Sequence, residues 1–263
     1  PGASVELRAL ESIRREGYAA PLYFVGSTSQ ARALAPFIDE SRPIYGLNIF
    51  GLYDGGETRQ ISLVEIARTY VEEIRRVQPE GPYFLTGYCA EAALALEMAV
   101  QLRAQGQTIA FLGFIDGLPF VTLQESKTAR LVRNLSSDGV DYVAQLVRRR
   151  ARVVSERAKA LRTRLERKVG GDRASLAARH FGWVEIYNRA MDSHPPRAYD
   201  GRISLFLTTE IGEVDLRELG SIASGGVDVE RVRAYHDNLF LRPQVEALAK
   251  VIDDAMAKAE NGR

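Results

Sequence analysis

The strongest constraint on the fold of this 263-residue chain is an alternation of short apolar runs with helical patterns. Pro21–Val25 (PLYFV) runs into the small-residue turn Gly26-Ser27-Thr28-Ser29 and reads as a strand entering a turn. Pro43–Asn48 (PIYGLN) is a second strand candidate. Ser62 with Glu65 three residues on predicts a capping box that opens a helix. Leu63, Ile66, Ala67, Tyr70 and Ile74 share one face of that helix, which stops before Pro79. Tyr83–Thr86 (YFLT) is a third strand, followed at once by Gly87-Tyr88-Cys89 and a helical run from Ala90 to Arg103 that Gly106 closes. Ile109–Ile115 (IAFLGFI) is a fourth strand, ending at Asp116-Gly117. Strand, helix, strand at this spacing predicts an α/β fold with a mostly parallel central sheet, whose chemistry gathers at the carboxyl ends of its strands.

The alternation breaks after Pro119. Residues 120–195 read as helical without clear strands. Strand signals return at Arg202–Leu207 (RISLFL) and Val227–Val232 (VDVERV). A last helix from about Pro243 carries Val245, Leu248, Ala249, Ile252 and Met256 in register. The simplest organisation is one α/β core, 21–118 and 197–263, interrupted by a helical insertion at 119–196.

Charge sharpens this division. The formal net charge is only +1, which argues against a chain built as a whole to bind nucleic acid. Residues 145–173, however, hold 11 Lys/Arg against 3 Asp/Glu, a local +8, and the remaining 24 Lys/Arg and 31 Asp/Glu leave −7. The basic insertion has three readings: solvated helix faces, a docking surface for an acidic protein partner with Arg148, Arg149 and Arg150 at its centre, or, least favoured, a nucleic-acid contact. No run of about 18 apolar residues predicts a membrane span. The N-terminus shows no basic-then-apolar signal segment, so a cytoplasmic location is expected.

Cys89 is the sole cysteine, which excludes an intrachain disulfide. With three histidines, His180, His194 and His236, ligands for a metal site are few, and none is expected. A lone cysteine is ordinarily a small buried hydrophobe. Its place changes that reading. Gly87-Tyr88-Cys89-Ala90-Glu91 approximates the G-x-S-x-G elbow, with Cys in the Ser position, between a strand and a helix. A sharp turn there holds a nucleophile at the positive end of a helix, which favours a thiolate and offers N–H donors to an oxyanion. Asp116 ends the next strand, and His236 follows the last one in Ala234-Tyr235-His236-Asp237-Asn238. Nucleophile, acid, histidine is the chain order of α/β-hydrolase triads. Asp215, after the strand at Arg202–Leu207, is an alternative acid. His180 and His194 are expected to pack or face solvent.

These residues resemble a known family. PLYFV, PIYGLNIFGL, ARTYVEEIRRVQPEGPYFLTGYCAEAALALEMAVQLRAQG, FLGFIDG, YDGRISLF and YHDNLFLRPQVEALA look like a type I thioesterase domain of a nonribosomal peptide or polyketide synthase. The resemblance covers the whole core, and its gap falls where that family carries a lid. It implies an α/β-hydrolase fold with an inserted helical lid. It also implies an acyl-enzyme on Cys89, with His236 as base and Asp116 as its partner, and an N-terminal linker segment over 1–20. Most relatives have Ser where this chain has Cys89. Gly is usual where it has Glu91, which is read either as an extra acid or base facing the catalytic cavity or as one half of a local ion pair. Gly26-Ser27-Thr28 replaces the family's usual start after the first strand, and backbone N–H groups of Ala90 and Thr28 are the expected oxyanion donors.

What the resemblance further implies is a chain-terminating enzyme that binds no cofactor of its own. Its substrate arrives as a thioester on the phosphopantetheine arm of an upstream carrier protein, and release is by hydrolysis or by cyclisation to a lactone or lactam. A monomer is expected. Two other functions fit the same residues: a free-standing editing thioesterase that clears stalled acyl groups, and a catalytically inert α/β-hydrolase-like interaction module.

Overall fold

A computed structural model describes residues 9–48, 62–118, 127–169, 190, 194–195 and 197–262. Seven strands form one sheet: β1 (Leu10–Arg14), β2 (Leu22–Val25), β3 (Ile44–Leu47), β4 (Tyr83–Tyr88), β5 (Ile109–Ile115), β6 (Ile203–Thr208) and β7 (Val227–Val232). Their order is β1-β3-β2-β4-β5-β6-β7, and only β1 runs antiparallel to its neighbour. The helices are α1 (Thr28–Leu34), α2 (Leu63–Val77), α3 (Glu91–Ala104), α4 (Lys127–Val169), α5 (Arg217–Ile222) and α6 (Gln244–Asn261).

The continuous apolar strands of the sequence reflect a sheet covered on both faces. Alternate side chains serve two cores. Tyr23, Tyr83, Leu85, Leu112, Phe114, Leu205 and Leu207 face α2 and α3. Phe24, Phe84, Phe111, Ile115 and Phe206 face α1 and α6. The expected capping box at Ser62 is present: Glu65 N–H donates to Ser62 Oγ, and Ser62 N–H to the Glu65 carboxylate. The apolar stripes read on α2 and α6 are the buried faces of those helices. α3 is buried almost all round, as expected for a helix apolar on every side.

One expectation is corrected. Leu10–Arg14, read as part of a linker over 1–20, is a sheet strand paired with β3. Its anchor lies far away in sequence, which is why a local reading missed it. The buried Glu73 carboxylate on α2 accepts the Ala9 and Leu10 N–H groups at 2.9 and 2.7 Å. Arg14 donates to backbone carbonyls of Ala35, Ile38, Asp39 and Arg42, which fixes the other end.

The insertion is helical, as expected, in its described part. α4 is two helices meeting at Gly139, whose φ of 50° and ψ of −118° break the helical path. The return to the core is pinned on α3. Arg197 Nη1 donates to buried Glu97 Oε1 at 2.9 Å, and His194 Nε2 lies 3.3 Å from Glu97 Oε2 in ion-pair range without hydrogen-bond geometry. His194 thus packs against the core, while His180 lies outside the described residues. No helix among the described residues is long and apolar enough to cross a membrane.

Glu73 offers a direct check on β1. A hydrogen bond to a charged group contributes about 1.5–3 kcal/mol. Glu73→Ala should therefore lower the urea-unfolding free energy by about 3 kcal/mol and accelerate amide exchange selectively at Leu10.

Candidate active site

The parallel register aligns the strand ends. Val25 pairs with Leu47 and Gly87, Tyr88 with Ile115, Ile115 with Phe206, and Thr208 with Val232. The singled-out residues follow these ends closely: Thr28 after β2, Cys89 after β4, Asp116 after β5 and His236 after β7. One edge of the sheet therefore carries all four.

Cys89 sits in the left-handed region at φ 54°. For a residue with a Cβ this costs about 1–2 kcal/mol. Tertiary contacts hold it there. Cys89 N–H donates to Ile115 O at 2.9 Å. A Cβ on Gly87 would lie 2.5 Å from Glu91 O, and one on Gly117 2.4 Å from Cys89 O. Two glycines thus leave room for the elbow, and the close contact of Gly87 falls on the backbone of Glu91 and Ala92. Cys89 is half-buried at the head of α3, with Ala90 at the N-cap. Thr28 is the first residue of α1, where a helix leaves N–H groups without intrahelical partners.

Asp116 is also left-handed, at φ 47°, and buried. Its Oδ1 accepts Thr208 N–H and Oγ1–H at 2.9 and 2.8 Å. Its Oδ2 accepts His236 Nδ1–H at 2.5 Å. Nδ1 being taken, Nε2 is the nitrogen left to interact with Cys89, which helps to raise the histidine pKa. Asp215, the alternative acid, is instead paired with Arg217.

Three residues that sequence reasoning did not single out complete the histidine's setting. Tyr88 stacks on the imidazole with ring centroids 4.9 Å apart and donates its hydroxyl to His236 O at 3.0 Å. Glu210 Oε2 accepts His236 N–H at 3.1 Å. Thr208 holds Asp116, as above. Only the place of Tyr88 inside the elbow motif could have pointed to it; Thr208 and Glu210 carry no signal beyond lying at a strand end.

Electrostatics follow from this packing. Burial alone would depress the His236 pKa, but hydrogen bonds to Asp116 and Cys89 and the negative charge of both outweigh it, raising it to about 10. Burial raises the carboxyl pKa of Glu91, opposed by its own backbone N–H and by the charge of His236. Burial and, after it, the charge of Glu91 raise the pKa of Tyr70. Among the described residues no group of three or more His, Cys, Asp or Glu side chains is placed to hold a metal ion.

Comparison with known proteins identifies the family. The "Thioesterase domain" family model matches residues 24–255, so the chain belongs to the thioesterase domain family. It is 37% identical over 108 residues to malpinin synthetase of Mortierella alpina (40% of this chain, 1% of that protein). It is 42% identical over 96 residues to thioesterase pytI of Aspergillus terreus (33% of this chain, 31% of that one). Against the dimodular nonribosomal peptide synthase of Bacillus subtilis (strain 168), identity is 34% over 126 residues, 46% of this chain and 5% of that protein. The chain thus spans a small part of the curated relatives it matches. The NocB thioesterase domain from the nocardicin cluster superposes with a TM-score of 0.64 at 24% identity, covering 95% of this chain and 99% of that one. The surfactin thioesterase domain SrfTE gives 0.60 at 15% identity, covering 96% and 97%. The fold is the α/β-hydrolase fold, and the chain is a thioesterase domain related to nonribosomal peptide and polyketide synthases.

The raised histidine pKa gives a stability test. A group that binds its proton more tightly when folded stabilises fully below its unfolded pKa of 6.5, and that contribution is lost as pH rises through about 10. The urea midpoint should fall across this window, and the fall should be smaller in His236→Ala.

Proposed function

We propose that Cys89, His236 and Asp116 are a catalytic triad. The domain takes an acyl or peptidyl chain from a carrier protein's phosphopantetheine thioester onto Cys89, then releases it by hydrolysis or cyclisation. The observation that carries this reading is a nucleophile on a strained elbow that interacts with His236, which is itself hydrogen-bonded to the buried Asp116.

A histidine protonated to about pH 10 is an acid at neutral pH. In the proposed cycle Cys89 and His236 share one proton: with it on Nε2 the sulfur is a thiolate, and that is the form that attacks. The thiolate adds to the thioester carbonyl, and the oxyanion is met by the Ala90 and Thr28 N–H groups. The carbon–sulfur bond to pantetheine breaks, and the departing thiolate takes its proton from His236. Acylation removes the charge and hydrogen bond of Cys89, two of the causes that raise the histidine pKa. Burial then weighs more, and the neutral imidazole serves as base for the second step. It takes a proton from water or from an internal amine or hydroxyl as that nucleophile attacks, and Cys89 leaves as the thiolate. Asp116 keeps the ring oriented throughout.

The cysteine favours demanding releases. Exchange between thioesters is near thermoneutral, so the acyl group on Cys89 keeps the activation that transfer to serine would lose. Glu91, a half-buried carboxyl whose pKa burial raises and which feels the charge of His236, serves as a second base toward the internal nucleophile. The carrier docks on the basic insertion, which we take as a lid over 119–196. Arg148 and Arg150 are exposed on α4, and the Arg149 side chain lies outside the described residues.

Incubation with a peptidyl N-acetylcysteamine thioester bearing an internal amine tests these roles. Intact-mass spectra should show an adduct on Cys89 that is lost in Cys89→Ala and slowed at least about 100-fold in His236→Ala. Glu91→Gln should slow release more than loading. Adduct formation with only linear acid from many short acyl groups would favour an editing hydrolase. No adduct and no turnover would favour an interaction module. Arg148→Glu with Arg150→Glu should raise KM for a carrier-bound substrate several-fold and leave the small thioester unaffected; equal effects on both would remove the docking role.

A further inference from the structure

The last residue of β6 and the two that follow make three attachments. Thr208 holds the buried acid through two hydrogen bonds to Asp116 Oδ1. The Glu210 carboxylate accepts the backbone N–H of His236 at 3.1 Å. The backbone carbonyls of Thr209 and Glu210 accept the Arg133 guanidinium of α4 at 3.2 and 2.9 Å. Buried Asn134, next on α4, donates to the same Glu210 carbonyl at 3.4 Å. A second path joins α4 to the loop that carries the histidine. Buried Tyr142 packs on Tyr235 with ring centroids 5.9 Å apart. Tyr235 immediately precedes the histidine.

The His236 backbone is thus held at two points, its N–H by Glu210 and its carbonyl by Tyr88. The Tyr88 anchor belongs to the elbow itself. The Glu210 anchor belongs to a segment that α4 grips. We propose that Glu210 is a positioning residue that transmits the seating of α4 to His236, so the triad is fully aligned only while the inserted helix is docked on Thr209–Glu210. This rests on the triad proposed above and adds to it a dependence of the nucleophile's reactivity on residues that touch no reacting atom. Engagement of α4 by a partner would thereby reach the chemistry through one peptide unit, whose carbonyl takes Arg133 and whose residue's carboxylate takes His236.

Alkylation of Cys89 by iodoacetamide at neutral pH, followed by intact mass, reads thiolate reactivity without needing the true substrate. Arg133→Ala and Glu210→Ala should each slow alkylation, and lower kcat for a small acyl thioester with little change in KM, by roughly 3- to 30-fold. Glu210→Gln, which keeps an acceptor for the His236 N–H, should restore the rate. The Arg133→Ala/Glu210→Ala double variant should be no slower than the slower single variant, because both cut one linkage. A folded Arg133→Ala protein with an unchanged alkylation rate would overturn the proposal, as would additive losses in the double variant. Should Glu210→Ala fail to fold, Arg133→Ala and Glu210→Gln decide between the same outcomes. Alkylation insensitive to His236→Ala would sink the triad itself; sensitivity to His236 with indifference to Arg133 sinks the coupling alone.

Discussion

The structure turns on the left-handed backbone at Cys89. Strand β4 passes into α3 through this one residue, and the turn closes only because Gly87 and Gly117 let backbone approach backbone where a Cβ would lie within 2.5 Å of a neighbouring carbonyl oxygen. The conformation is costly for a residue with a side chain, and such strain persists only where its surroundings over-determine it. Here they do: the flanking glycines, the Cys89 N–H bond to Ile115 and a buried α3 behind the turn all specify the same geometry. What results is a thiol lifted from the sheet edge at the start of a fourteen-residue helix.

From that point the parallel register organises the rest. Each neighbouring strand ends at the same level, so residues from four loops meet there without a long excursion of the chain. Asp116 is buried and doubly held by Thr208, which leaves one carboxylate oxygen for His236. The imidazole is clamped between that oxygen, the Tyr88 ring and the thiol. Burial alone would keep it neutral; the interactions with Asp116 and Cys89 outweigh it, because an opposite charge at hydrogen-bond distance, here the Asp116 carboxylate at 2.5 Å, outweighs partial desolvation.

Much of this was legible in the sequence. The strand–helix alternation specified the parallel sheet, and the chain order of Cys89, Asp116 and His236 anticipated residues that the fold brings together. Local signals were enough there because each residue directly follows a strand whose apolar run is visible. The edge strand Leu10–Arg14 was not legible, since its pairing depends on Glu73 and on carbonyls near Arg42, far along the chain. Tyr88, Thr208 and Glu210 escaped for the same reason. Their roles come from what lies across the fold, and apart from the place of Tyr88 inside the elbow motif nothing in their own neighbourhoods distinguishes them from ordinary residues at a strand end. Gly is usual two positions after the nucleophile; here the close contact falls on Gly87 and the backbone of Glu91 and Ala92.

The most direct measurement is the titration of His236 itself, followed through its ring nitrogens by ¹⁵N NMR. In the unmodified protein the ring should stay protonated and titrate near pH 10, and removal of the thiol in Cys89→Ala should lower the midpoint. A midpoint near the ordinary 6.5 that does not respond to Cys89→Ala would contradict an ion-paired cysteine and histidine, and with it the proposed mechanism.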